Sequence, residues 1–254
     1  MQGGAHRGRS LVGRGLCAAD TESRTIDRSE GVREDDLPDH MRIAYSCLWL
    51  ERERSLSAVM GTRITIIQGH PDPLTGHFGH ALADEYAKGC EDGGREVRRI
   101  DVARLEFPLL RTKEEFEKGA PPQSIAQAQE AVKWADHLVI LYPLWLGSMP
   151  ALLKAFFEQL FRPGFAFEYG STGRLPKKRL TGKSARIVVT MGMPAFVYRW
   201  FFLAHSVKSL ERNILAFAGI GPIWTTLIGN IEGMSEQQRL GWLDEMRGLG
   251  DVGK

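Results

Sequence analysis

Cysteine is scarce in this chain, and no two cysteines stand in a CxxC spacing. Three occur in 254 residues: Cys17, Cys47 and Cys90. That excludes a disulfide-stapled scaffold and a zinc knuckle, and it fits a reducing, cytoplasmic setting. No apolar run approaches the roughly 18 residues of a spanning helix, so no membrane span is expected. A strong excess of one charge is missing too. The formal net charge is +2, which gives no global pull towards nucleic acid or an acidic membrane surface.

Lysine is absent from residues 1–60, which carry nine arginines interleaved with Gly, Ser and acidic residues. Apolar periodicity is absent there as well. Glu34, Asp35, Asp36 and Asp39 argue against a transit peptide, and no continuous apolar core marks a signal peptide. Two readings stand. One is a disordered extension that buries too little apolar surface to offset its ordering entropy. The other is a mis-assigned reading frame upstream of a true start at Met60. The expected organisation is an extension over 1–60, one domain over 61–249 and a short tail over 250–254.

After Met60 the pattern becomes regular. The β-branched run RITIIQ at 63–68 reads as a buried strand ending at Gly69. Phe78, Ala81, Leu82 and Tyr86 then recur at helical spacing. EVRRID at 96–101 predicts a second strand, and Ile125, Ala128, Val132 and Ala135 a helix. HLVILY at 137–142 is a third strand, stopped by Pro143. Leu152, Leu153, Phe156, Phe157, Leu160 and Phe161 make a wide apolar helical stripe. SARIVVT at 184–190 is a fourth strand. A helix through Val207, Leu210, Ile214 and Phe217 ends at Gly219, which suits a C-terminal cap. Residues 223–228 form a fifth strand, and Ser235 with Gln238 resembles a capping box opening the last helix. Strands alternating with helices predict βαβ units, a doubly wound α/β fold and a parallel sheet.

In such a sheet, ligands bind outside the carboxyl ends of the strands. Three loops fall there. The first, HPDPLTGHFGHAL from His70 to Leu82, enters a helix N-terminus, an anion site by its free N–H groups and dipole. Gly76 and Gly79 allow close backbone approach and His77 adds a donor, unless Pro71 and Pro73 merely shape a turn. It is neither a GxGxxG fingerprint nor a Walker loop. His70, His77 and His80 lie close in sequence but lack a nearby Cys or a convincing carboxylate partner, so no metal is expected. The second loop, from Tyr142 to Phe161, puts Trp145, Leu146 and Met149 where a polar loop would be usual. They suit a slot for a flat, partly apolar ring, or a loop packed under its own helix. The third loop, from Thr190 to Ser206, opens with Gly192 and carries Tyr198 and His205, which can donate protons or hydrogen bonds to a reducible substrate. Its aromatic cluster, Tyr198, Trp200, Phe201 and Phe202, reads equally as core or subunit interface.

The stretch PLWLGSMPALLKAFFEQLFRPGFAFEY, from Pro143 to Tyr169, resembles the hallmark segment of the NAD(P)H:quinone oxidoreductase family. HPDP, HF and AL within residues 70–82 resemble that family's first flavin loop. The likeness spans about residues 63–248. It implies a flavodoxin-like, five-stranded parallel sheet in the order 2-1-3-4-5. It also implies bound FAD or FMN, NAD(P)H as donor, a quinone or similar acceptor, and a ping-pong two-electron hydride transfer through the flavin. It further implies a homodimer with the active site at the subunit interface. Carried over residue by residue, the flavin phosphate falls to His70, Gly76, His77 and Phe78. The ring falls to Pro143, Leu144, Trp145 and Leu146, and its polar edge to Thr190, Met191, Gly192 and Met193. Tyr198 and His205 match the family's active-site tyrosine and histidine, the latter across a one-residue gap.

Two departures stand out. Gly76-His77-Phe78-Gly79 replaces a common Ser/Thr-Phe-Asn, leaving fewer side-chain donors for phosphate and the choice between FMN and FAD open. Gly192-Met193 replaces Gly-Gly, narrowing the space beside the ring. The wider family also includes ancillary flavoproteins of potassium efflux systems, so a regulatory subunit docked on a transporter is the alternative. A one-electron carrier would be strongly acidic, which this chain is not.

Overall fold

The computed structural model describes residues 63–74, 76–170 and 176–254. Residues 1–60, and the two readings of them, lie outside the described residues.

Each strand sits where a β-branched or aliphatic run ends in Gly, Pro or a loop. They are β1 (Arg63–Gln68), β2 (Glu96–Asp101), β3 (His137–Pro143), a two-residue hairpin pair β4 (Phe167–Glu168) and β5 (Lys177–Lys178), β6 (Ser184–Thr190) and β7 (Ile223–Ile228). The large sheet has the order β2-β1-β3-β6-β7, every pairing parallel. With the hairpin set aside, that is the expected 2-1-3-4-5. The middle strands β3 and β6 are buried at every residue, whereas β2 at one edge has one buried residue, Ile100, and three exposed ones. That is how a parallel sheet covered on both faces should read.

Period-two alternation divides the core. Ile64, Ile66, Val139, Leu141 and Val188 face helices α1 (Phe78–Asp92) and α7 (Glu236–Val252). Ile67, Leu138, Ile140, Ile187 and Val189 face α3 (Gln123–Trp134), α4 (Ala151–Leu160) and the segment 198–218. Between them come the short helices α2 (Lys113–Lys118), α5 (Ala195–Trp200) and α6 (His205–Ser209), which runs on through a π-helical turn over Leu210–Leu215. Gly219 ends that run in the left-handed region at φ 103°, as its cap position requires. The capping box at Ser235 and Gln238 is present in both directions.

Helices α1 and α7 meet backbone to backbone. A Cβ on Gly250 would stand 2.1 Å from the Tyr86 carbonyl oxygen. The last five residues, set apart on sequence as a tail, continue α7 to Val252. Lys254 is buried, and its carbonyl accepts the Tyr86 hydroxyl at 2.9 Å. Cys90 is buried between the same helices, and burial pushes its thiol up to about 12, so it is un-ionised near neutrality. Among the described residues, no helix is long and apolar enough to cross a membrane.

Candidate active site

The three loops at the carboxyl ends of β1, β3 and β6 come together because those strands are neighbours in register. Gln68 pairs with Leu141, and Pro143 with Thr190. Gly69 N–H donates to the Leu141 carbonyl at 2.7 Å, and Leu144 N–H to the Thr190 carbonyl at 2.8 Å.

The first loop is braced from inside. Gln68, buried at the end of β1, accepts the His70 N–H at 3.1 Å and donates to the Gly79 carbonyl at 3.0 Å. His70 is buried and stacks on His77 with ring centroids 4.0 Å apart. Burial, then the neighbouring His77, lowers its pKa, so the ring is neutral and its Nδ1 accepts the Asp72 N–H at 3.1 Å. His77 Nε2 donates to Asp72 Oδ2 at 2.8 Å, and that bond holds the Asp72 carboxyl below the usual carboxylate range. A carboxylate partner for these histidines, which their spacing in sequence did not single out, is therefore Asp72. Gly76 is exposed, and the half-buried Phe78 ring lies under the Arg239 guanidinium at 5.3 Å.

The second loop is a two-residue turn. Trp145 and Ser148 exchange N–H to carbonyl bonds of 2.8 and 2.9 Å, with Leu146 at φ 47° and Gly147 at φ 75°. A bulky residue rarely takes that conformation, and strain of this kind gathers at ligand sites. The turn leaves Leu146 fully exposed and Trp145 half exposed, the indole edge-on to His70 at 6.1 Å. Its bonds use neither the Leu146 nor the Gly147 N–H among the described residues. Pro143 is buried at the end of β3.

In the third loop, Thr190 and Met191 are buried while Gly192 is exposed. The Gly192 and Met193 N–H groups make no hydrogen bond among the described residues. Met193 is half-buried, and its carbonyl accepts Asn230 N–H at 3.0 Å, which ties this loop to the one after β7. That tie brings in Glu232, whose Oε1 is 3.6 Å from where a Cβ on Gly192 would stand. Nothing in the sequence spacing signals Glu232, because sheet order alone sets it beside Gly192.

Tyr198 and His205 separate. His205 is exposed, and its Cε1 lies 4.0 Å from a Cβ position on Gly147, so it stands beside the second loop. Its Nδ1 donates to the Phe202 carbonyl at 2.9 Å, leaving Nε2 for a ligand. Tyr198 is fully buried, with its hydroxyl 2.7 Å from Ser206 Oγ. The phenol therefore stands behind the surface, in the wall that carries His205. Leu203 and Ala204, at φ 53° and 46°, turn the chain between them.

The chain matches the profile of the flavodoxin-like fold family over residues 62–247. It is 32% identical over 208 residues to the ribosyldihydronicotinamide dehydrogenase [quinone] of Homo sapiens, covering 71% of this chain and 87% of that one. It is 35% identical over 124 residues to an FMN-dependent NADH:quinone oxidoreductase of Alteromonas mediterranea, covering 44% of this chain and 60% of that protein. Among solved structures it resembles an NAD(P)H:quinone oxidoreductase from Methanothermobacter marburgensis in fold. There the TM-score is 0.61 at 22% identity, over 74% of this chain and 97% of the other. The chain belongs to the flavodoxin-like fold family and, within it, to the NAD(P)H:quinone oxidoreductase group of enzymes.

Proposed function

We propose that the chain is a flavin-dependent oxidoreductase that passes two electrons from NAD(P)H to a quinone or related acceptor in a ping-pong cycle. One observation carries this reading. The half-exposed Trp145 and exposed Leu146 stand on a turn whose Leu146 and Gly147 N–H groups have no partner among the described residues, and the loop after β6, tied to it by the Leu144 N–H to Thr190 carbonyl bond, leaves the Gly192 and Met193 N–H groups likewise. Exposed apolar side chains together with unpaired main-chain donors suit a flat ring with one polar edge. When bound, the flavin supplies the hydride chemistry, taking two electrons from the nicotinamide and giving them to the acceptor.

The protein groups bind, orient and supply protons. In this reading Pro143, Leu144, Trp145 and Leu146 border the ring, and Thr190, Met191, Gly192 and Met193 meet its polar edge. His70, Gly76 and His77 surround the phosphate, and Phe78 supports that loop from behind. His205 faces the acceptor. With its Nδ1–H spent on Phe202, Nε2 donates only when the ring is an imidazolium. Tyr198 acts as a positioning residue through Ser206. The exposed side chains of Phe196, Trp200, Phe201 and Leu203 suit cover by a second copy in a homodimer. A reaction fed by reduced nicotinamide is consistent with a cytoplasmic setting. No observation favours the transporter-subunit alternative.

Purified protein given FMN or FAD should be yellow, with bands near about 370 and 450 nm. Turnover of NAD(P)H with menadione should give parallel double-reciprocal lines. Failure to take up either flavin overturns the reading, and intersecting lines overturn the ping-pong order. Mass spectrometry of the released cofactor distinguishes FMN from FAD.

A further inference from the structure

The loop after β6 is fixed by its neighbour after β7. Asn230 N–H donates to the Met193 carbonyl at 3.0 Å, and Ile231 N–H to the Met191 carbonyl at 3.2 Å. Gly229 packs so closely that a Cβ there would stand 2.7 Å from the Met193 carbonyl oxygen and 2.2 Å from the Ala195 nitrogen. Gly233 N–H then closes a turn on the Asn230 carbonyl at 3.1 Å, and Glu232 sits within that turn. Its Oε1 and Cδ lie 3.6 and 3.8 Å from where a Cβ on Gly192 would stand.

This carboxylate has no counterion. Glu232 is exposed and makes no hydrogen bond or ion pair among the described residues. Arg239, the next guanidinium along the chain, turns instead to the Ile231 carbonyl and the Phe78 ring. Glu232 also leaves the Gly192 and Met193 N–H groups unbonded. In the reading above those N–H groups meet the polar edge of the ring, so that edge has two donors and an unpaired negative charge beside it. The two states of the ring respond differently to that charge. Uptake of two electrons and one proton turns the neutral oxidised ring into a reduced ring with a negative charge at its polar edge. Main-chain donors stabilise that charge, and a carboxylate opposes it.

We propose that Glu232 tunes the bound flavin: its carboxylate disfavours the reduced, negatively charged ring relative to the oxidised one. Glu232 thereby lowers the midpoint potential and makes the flavin a stronger reductant towards its acceptor. This inference rests on the flavin reading above.

The test compares the FMN-loaded full chain with its Glu232→Gln variant in an anaerobic, dye-coupled redox titration. The amide keeps the shape and loses the charge, and an exposed position tolerates it. The variant should favour reduced over oxidised FMN by about three- to tenfold more than the unaltered chain. That raises the potential by about 15–30 mV, since tenfold is about 30 mV for a two-electron couple. Affinity for oxidised FMN, followed by fluorescence, should change little. Glu91→Gln removes another exposed carboxylate, at the end of α1 far from the site, and should leave the potential where it was. An unchanged or lowered potential in Glu232→Gln overturns the inference. So does an equal rise in Glu91→Gln, or a gain in FMN affinity that is the same for both oxidation states. If the unaltered chain takes up no flavin, the flavin reading falls and this inference with it.

Discussion

The hydroxyl of Tyr198 lies 2.7 Å from that of Ser206, with both side chains buried, and the Val207 N–H reaches the same phenol oxygen at 3.4 Å. This link closes the turn through Leu203 and Ala204 on which His205 stands. Tyr198→Phe leaves Ser206 and Val207 without that partner. It should cost about 1 kcal/mol of stability and slow flavin reoxidation by quinone, while flavin reduction changes less. Stopped-flow of the two half-reactions, with a melting curve, checks this. Equal slowing of both halves would mean that the link serves the whole fold and not His205.

His205 is the exposed partner in that arrangement. His205→Gln should leave flavin bound and slow reoxidation by roughly tenfold to a hundredfold, as a lost bond to developing charge costs on the order of 1–3 kcal/mol. Rescue of the rate by added imidazole would support a proton-donating role. An unchanged reoxidation rate would move the acceptor site away from this histidine.

Trp145 is half exposed and makes its ring contact with His70. Trp145→Ala should therefore leave the fold intact and weaken flavin retention, on the order of tenfold in Kd. Ultrafiltration of the loaded protein measures it. Retention equal to that of the unaltered chain would mean that the indole is no part of the ring wall.

His137 is buried in β3, with Nδ1 2.8 Å from Ser184 Oγ and Nε2 without a partner among the described residues. Burial, with Arg186 nearby, lowers its pKa from 6.5 to about 3. Across that window the unfolded chain takes up a proton that the folded chain refuses. Stability should therefore fall as pH drops from about 6.5 towards 3, by up to about 1.4 kcal/mol per pH unit from this group. Above that window its contribution is flat. Urea titrations at several pH values should show the slope, and His137→Gln should flatten it.

Gly250 and Gly248 sit two residues apart in α7 with opposite surroundings. A Cβ on Gly250 would strike the Tyr86 carbonyl at 2.1 Å, whereas one on Gly248 would meet nothing within 4 Å. Gly250→Ala should cost about 1–3 kcal/mol through forced backbone separation. Gly248→Ala should be neutral or gain up to about 1 kcal/mol from helix propensity. Thermal melts of the two variants decide it, and equal effects would contradict the packing described.

The sequence by itself determined the five strands of the large sheet, the fold class and the places where a ligand meets the sheet. RITIIQ, HLVILY and SARIVVT are continuous apolar runs that only a sheet covered on both faces can bury, and Gly219 and Ser235 mark helix ends by local chemistry. These signals are short-range, so they are legible in order along the chain. Only the tertiary structure decided which side chains reach the site. Tyr198 and His205 read as a pair, yet the turn at Leu203 and Ala204 buries one and exposes the other. Asp72 draws no notice between Pro71 and Pro73 in the sequence, and its bonds to three histidines appear only once the loop folds back on Gln68. Glu232 comes beside Gly192 through the pairing of β6 with β7, forty residues apart in sequence. Side-chain direction and cross-loop contact depend on sheet order and strained turns, which no local pattern encodes.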